Sequence, residues 1–139
     1  MNAEELLARY AAGERHFEAV NLARVSLAGA NLSGINLDRA NLVEANLSRA
    51  NLSGASFQEA NLARVNLTEA DLSRAFMLKA NLTESQLSSA RLVGAVLVEA
   101  NMSHAFLFEA NLEDAKLTDA LLVGAVLPDG TEQQSAKFP

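Results

Sequence analysis

The sequence predicts an all-β fold, a solenoid in which short extended pieces alternate with bends and stack in parallel. Three observations carry this expectation. A leucine or phenylalanine returns at every fifth position, as at Leu52, Phe57, Leu62, Leu67 and Leu72. Alanine stands two residues before most of these centres, as Ala50 and Ala60 do, so inward candidates recur at alternating spacings of two and three. On an α-helix those steps are turns of about 200° and 300°, which scatter the set around the cylinder. On a strand a step of two keeps one face, whereas a step of three reverses it unless the chain turns a corner. Finally, five of the seven glycines (Gly29, Gly34, Gly54, Gly94 and Gly124) fall two residues after a centre, where the corner is needed. Glycine tolerates the unusual backbone angles of a bend.

The elements follow in chain order. Asn2 with Glu5 three residues later is a helix-start signal, Leu6, Leu7 and Tyr10 fall on one helical face, and Gly13 stops the run. A short α-helix is expected to lie over the open N-terminal end of the rod, where it keeps unpaired backbone groups from recruiting other chains. Residues 1–19 comprise this cap and a first degenerate repeat, with Phe17 in phase with Leu22 as a core plug. Residues 20–129 then hold the register without an insertion for 22 units. A fixed internal period marks a solenoid, in which each unit buries its apolar face only by stacking on neighbours. Four bends per turn would give about five and a half coils, stacked into a rod roughly 26 Å long. Pro128 and Gly130 break the pattern, and residues 130–139 form a polar tail of which no fold is expected. The C-terminal end is therefore expected to be less well covered.

Units such as "ANLSG", "ANLAR", "ADLSR" and "ANLED" resemble the pentapeptide repeat family, whose pattern is alanine, aspartate or asparagine, leucine and two variable residues. The resemblance runs from Val20 to Asp129. It implies a right-handed quadrilateral parallel β-helix, and both the square closure and the handedness come from the resemblance. The opening "EELLARYAAGER" and the closing "GAVLPDG" are similar to the ends of cyanobacterial members.

Composition excludes several function classes. Seventeen acidic against 11 basic residues give a net charge of -6, which repels phosphate backbones and anionic membranes, so no nucleic-acid or membrane partner is expected. No segment approaches the length of a membrane span, and the acidic N-terminus is unlike a signal peptide, so a cytoplasmic location is expected. There is no cysteine, and His16 and His104 are far apart in sequence. Glu113 and Asp114 are adjacent, but paired catalytic carboxylates need a cleft that a filled rod does not offer. No catalytic, cofactor-binding or metal-binding residue is assigned, no small-molecule substrate is expected, and the chain is expected not to be an enzyme.

Polar residues recur in columns 20 apart. Asn21, Asn41, Asn61, Asn81 and Asn101 should stack, with their amides bonding to one another and to nearby backbone. Arg24, Glu44, Arg64 and Glu84 alternate in sign, as do Arg39, Glu59, Lys79 and Glu99. Some family members resemble duplex DNA in shape and charge and bind type II topoisomerases. That activity needs continuous negative stripes, which these alternating columns interrupt.

The informative irregularity is apolar residues at positions that point outward. Beside the centres, and leaving alanine aside, the first eleven units contain only Val43; the last eleven contain Phe76, Leu78, Val93, Val96, Val98, Phe106, Phe108, Leu121, Val123 and Val126. Phe76 should stack on Val96 and Leu78 on Val98, with Phe106 and Phe108 on a different face. Such a cluster marks a covered surface. Phe76, Leu78, Val96, Val98, Phe106 and Phe108 are accordingly the expected interface. The cover is a protein partner, a second copy in a homodimer through the C-terminal half, or the tail with Phe138. The function expected is a protein–protein interaction scaffold, and the alternative is a DNA mimic that binds a type II topoisomerase.

Overall fold

The computed structural model describes residues 1–134. Helix α1 spans Ala3–Ala11, and the Asn2 side chain accepts a hydrogen bond from the Glu5 amide at 2.8 Å, as the start signal requires. Gly13 has a φ of 102° and donates to the Tyr10 carbonyl, closing the helix. Leu6 is fully buried and Tyr10 packs against the core, its hydroxyl donating to the Ser33 carbonyl at 2.6 Å. Leu7, expected on the same inward face, is instead exposed. Along a helix the position one residue after Leu6 is rotated by about 100°, so a short helix that seats Leu6 and Tyr10 turns Leu7 to solvent. Arg9 lies 5.0 Å from the Phe17 ring and also pairs with Glu14, which ties the cap to the first repeat.

Beyond the cap, every repeat pairs with the repeat 20 residues later. The four parallel columns begin at His16↔Asn36, Asn21↔Asn41, Ser26↔Asn46 and Asn31↔Asn51, and each continues in steps of 20. One coil therefore takes 20 residues and has four faces, called here first (the Asn21 column), second (Ser26), third (Asn31) and fourth (His16 and Asn36). By chain order the second face lies opposite the fourth. Pairing begins at His16, in the degenerate repeat that precedes residue 20. The centres fill the interior: Phe17, Leu37, Phe57, Met77 and Leu97 are buried beneath the fourth face, as are the alanines that precede the centres through most of the body. Alanine is what permits coils this narrow to close over the larger side chains.

The corners depart from expectation in one respect. All 22 positions two residues after a centre, from Ala19 to Gly124, have positive φ, but only five are glycine and seventeen carry side chains, chiefly Arg, Glu and Asp. A non-glycine residue in this region is strained by about 1 kcal/mol. The strain is offset because the corner sits inside a hydrogen-bonded turn and also donates to the next coil: Ala45 N–H reaches Leu42 C=O at 3.0 Å, and Glu44 N–H reaches Ala63 C=O at 3.0 Å. Where corner side chains pair, they reach the corners one coil away, as Glu44 does with Arg24 and Arg64.

The C-terminal end is not bare. After the Pro128–Gly130 turn the chain runs back antiparallel, with Glu132 bridged to Val126, Leu127 N–H on Thr131 C=O at 2.7 Å, and Gln133 N–H on Ala125 C=O at 2.8 Å. This corrects the expectation of a tail without structure: residues 131–133 cap the edge of the second face. Leu112 and Leu117, under the third and fourth faces of the last coil, stay partly exposed.

One interior position is imperfect. Ser85 replaces the usual alanine, is 1% exposed, and its hydroxyl has no hydrogen-bond partner among the described residues. Ser85→Ala should raise stability by about 1 kcal/mol, measured as a higher midpoint in urea with an unchanged slope.

Candidate functional site

The asparagine columns form, but their chemistry is local. Each Oδ1 accepts the backbone N–H two residues on: Asn41 from Val43 at 3.1 Å, Asn61 from Ala63 at 3.1 Å, Asn81 from Thr83 at 3.1 Å and Asn101 from Ser103 at 3.1 Å. Between side chains in the first-face column only Asn81 and Asn61 approach, at 3.4 Å. Of the two expected partners the nearby backbone is engaged throughout and a neighbouring amide once, because the N–H just before each corner points outward and no neighbouring coil can reach it. Asp71 does the same for Ser73 at 3.0 Å. Burial works against its charge, but the bond from the Ser73 amide, with the Ser73 hydroxyl, Arg91 and Arg74 nearby, outweighs it and holds the carboxyl below its usual range.

The corner between the first and second faces is ion-paired: Glu44 lies between Arg24 at 3.6 Å and Arg64 at 3.4 Å, and Arg64 reaches Glu84 at 3.9 Å. The second alternating column, Arg39, Glu59, Lys79 and Glu99, forms no ion pair within 4.0 Å among the described residues. Among those residues there is no enclosed cavity and no cluster of three or more metal-ligating side chains.

The six residues expected as interface fall on two faces, as their phase predicts, and the two faces are opposite one another. Phe76 and Val96 are bridged in the fourth-face column, with Phe76 47% exposed and Val96 half-buried. Leu78 and Val98 stand beside them before the next corner and are also half-buried. Phe106 and Phe108 belong to the opposite, second face, 43% and 39% exposed, with ring centroids 6.3 Å apart. Phe106 bridges Val126, and Phe108 lies against the turn at Gly130. A single flat partner cannot touch both sets.

Leu121 and Val123, exposed on the first face of the last coil, adjoin the second-face set across the Gly124 corner. The His104 ring occupies the space a side chain at Gly124 would need, and its backbone N–H bonds Val123 C=O at 3.0 Å. The described part of the tail pairs along the second face and not over Phe76; Phe138, expected as a possible cover, lies outside the described residues. At the same end, the side chain and amide of Thr131 bond the Asp129 carboxylate and hold it below its usual range.

At Phe76, Val96 and Phe106 an apolar side chain stands where asparagine caps the turn elsewhere. The amides of Leu78, Val98 and Phe108 accordingly lack the cap that Asn41 gives Val43. The five-residue phase marks these residues as outward, and the structure adds that each forgoes the turn-capping bond.

The coil can now be set beside known proteins. The family model described as pentapeptide repeats matches residues 21–58, 45–87, 60–97 and 77–114. No protein of curated function matches the sequence. Among solved structures, the pentapeptide repeat protein Rfr23 from the cyanobacterium Cyanothece 51142 is 26% identical with a TM-score of 0.64, over 85% of this chain and 94% of its own. A pentapeptide repeat protein from the Arabidopsis thaliana thylakoid lumen is 26% identical with a TM-score of 0.55, over 78% of this chain and 68% of its own. No described helix is long and apolar enough to cross a membrane. Given a match that spans most of the repeat register, the chain belongs to the pentapeptide repeat family.

Proposed function

We propose that this protein is a non-enzymatic protein–protein interaction scaffold, a right-handed four-sided β-helix that docks a protein through the apolar positions of its C-terminal half. The repeat body of residues 20–129 is the working surface, and residues 1–19 and 130–139 are its ends. The observation that carries the reading is Phe76 on Val96. Asparagine there would cap a turn amide, and the ring instead stands half in water, so both hydrogen bonding and hydration oppose it in the isolated rod. A covering protein surface removes the second cost.

The test has two arms. A photo-crosslinking amino acid at position 76, introduced in the source cell, should give an adduct of discrete mass, or the purified protein should sediment as a dimer that Phe76→Glu with Val98→Glu returns to monomer. A monomer that gives no adduct overturns the proposal. Fractionation of the source cell should place the protein in the cytoplasm, and recovery from another compartment would overturn that location.

A topoisomerase-binding DNA mimic is the competing reading, favoured by the net charge of -6. The paired corner from Arg24 to Glu84 opposes it, since each arginine neutralises its acidic neighbours. Gyrase supercoiling should be unaffected by micromolar protein, and inhibition that vanishes when Glu69 and Glu109 are neutralised would put the mimic first.

A further inference from the structure

Charge is unevenly distributed along the rod. From Leu92 to Gln134 there are seven acidic residues and one base, Lys116. Lys116 bridges Val96 on the fourth face, opposite the Phe106 set. The two apolar surfaces therefore differ in electrostatics. Around Phe76 and Val96, Lys79 and Lys116 mix with Glu59 and Glu99, and no sign dominates. Around Phe106, Phe108 and Val126 stand Glu109, Asp129 and Glu132, all exposed, with neither lysine nor arginine beside them among the described residues. Glu109 follows Phe108 directly and bonds through its amide to Pro128 C=O at 2.9 Å, while Glu132 bridges Val126. The acids are thus fixed to the rim of the apolar surface by the same backbone pairing that forms the end of the rod.

We propose that this second surface, formed by Phe106, Phe108 and Val126 with Val123 across the Gly124 corner, docks a basic amphipathic protein segment whose aliphatic side chains cover the rings and whose arginines or lysines meet Glu109, Asp129 and Glu132. The inference rests on the interaction-scaffold reading and adds a partner chemistry to it. Charge selects the occupant. A second copy laid face to face would set these acids against their own counterparts, and nucleic acid or an anionic membrane would be repelled in the same way. A neutral apolar segment would leave the acidic rim uncompensated. A cationic segment gains both from covering the rings and from pairing at the rim, where exposed charges speed and select encounter.

The probe is a short synthetic helical peptide with leucine on one face and arginine on the other, compared with one in which glutamate replaces arginine, by fluorescence anisotropy against the intact protein. The leucine–arginine peptide should bind with an affinity that falls as salt rises, and the leucine–glutamate peptide should not bind. Phe106→Ser with Phe108→Ser should weaken binding about tenfold or more. Glu109→Gln with Asp129→Asn and Glu132→Gln should weaken it severalfold and flatten the salt dependence, whereas Phe76→Ser should leave it unchanged. All these positions are outward, and circular dichroism of each variant verifies the fold. Equal binding to the Phe106/Phe108 variant, or equal binding of the two peptides, overturns the proposal. If position 76 still crosslinks in the cell, only this proposal falls; if neither surface engages anything, the scaffold reading falls with it.

Discussion

Leu62→Asp should cost several kcal/mol of stability, roughly enough to unfold a domain of ordinary marginality. Leu62 is fully buried, with coils above and below it held by bonds such as Leu42 N–H to Asn61 C=O at 2.8 Å and Leu62 N–H to Asn81 C=O at 2.7 Å. No charged side chain is buried among the described residues, so a carboxylate there is unpaired, or is protonated at a cost. Two residues on, the Arg64 side chain is half exposed and pairs with Glu44 and Glu84 at 3.4 and 3.9 Å. Exposed pairs contribute between about 0 and 1 kcal/mol, so Arg64→Ala should cost less than about 1 kcal/mol. Urea titrations of the two variants measure the contrast. Similar losses would show that the inward and outward sets have been exchanged.

Phe57→Ala should cost about 3–5 kcal/mol, toward the upper end, and Phe57→Leu under about 1.5 kcal/mol. Phe57 is fully buried between Leu37 and Met77 in its column. What matters is how far the surroundings can collapse into the space left behind. Here they cannot move far, because Leu37 N–H to Ser56 C=O and Phe57 N–H to Phe76 C=O, both 2.7 Å, fix the spacing of successive coils. A cavity in a ladder-bound solenoid stays open, and its walls lose their contacts outright. A small loss for alanine with a normal urea slope would mean that the coils yield, and the picture of a rigid stack would be wrong.

The two variants probe what the sequence makes legible. Spacings of two and three identify the inward residues because side-chain alternation on a strand is a property of local backbone geometry, and five-residue phase marks the corner for the same reason. The helix start at Asn2 was legible from one side chain and one amide. The exposure of Leu7 is not legible in the same way, since the apolar spacing over a single helical turn does not say which residues of a wide face reach the core. The pairing of the tail at Val126 has no periodic signal: it depends on the turn at Pro128–Gly130 meeting a free edge.

The candidate surface divides the same way. Phase alone put Phe76, Val96, Phe106 and Phe108 outside, and a separation of 20 put Phe76 on Val96, which the structure bears out. Phase also put the Phe106 pair on a different face; the closed coil shows that this face is the opposite one and that the acids gather beside it.

By itself, then, the sequence determined the period, the inward set, the corners and the family pattern, because each follows from backbone sterics repeated every five residues. The tertiary structure alone decided three things: that the corners with side chains adopt positive φ, that the asparagines bond their own turn amides far more than one another, and that the two apolar surfaces are opposite and differ in charge. The physical reason is distance along the chain. Inter-coil hydrogen bonds, closure over four corners and the returning tail join residues many positions apart, and no five-residue pattern encodes what those contacts bring together.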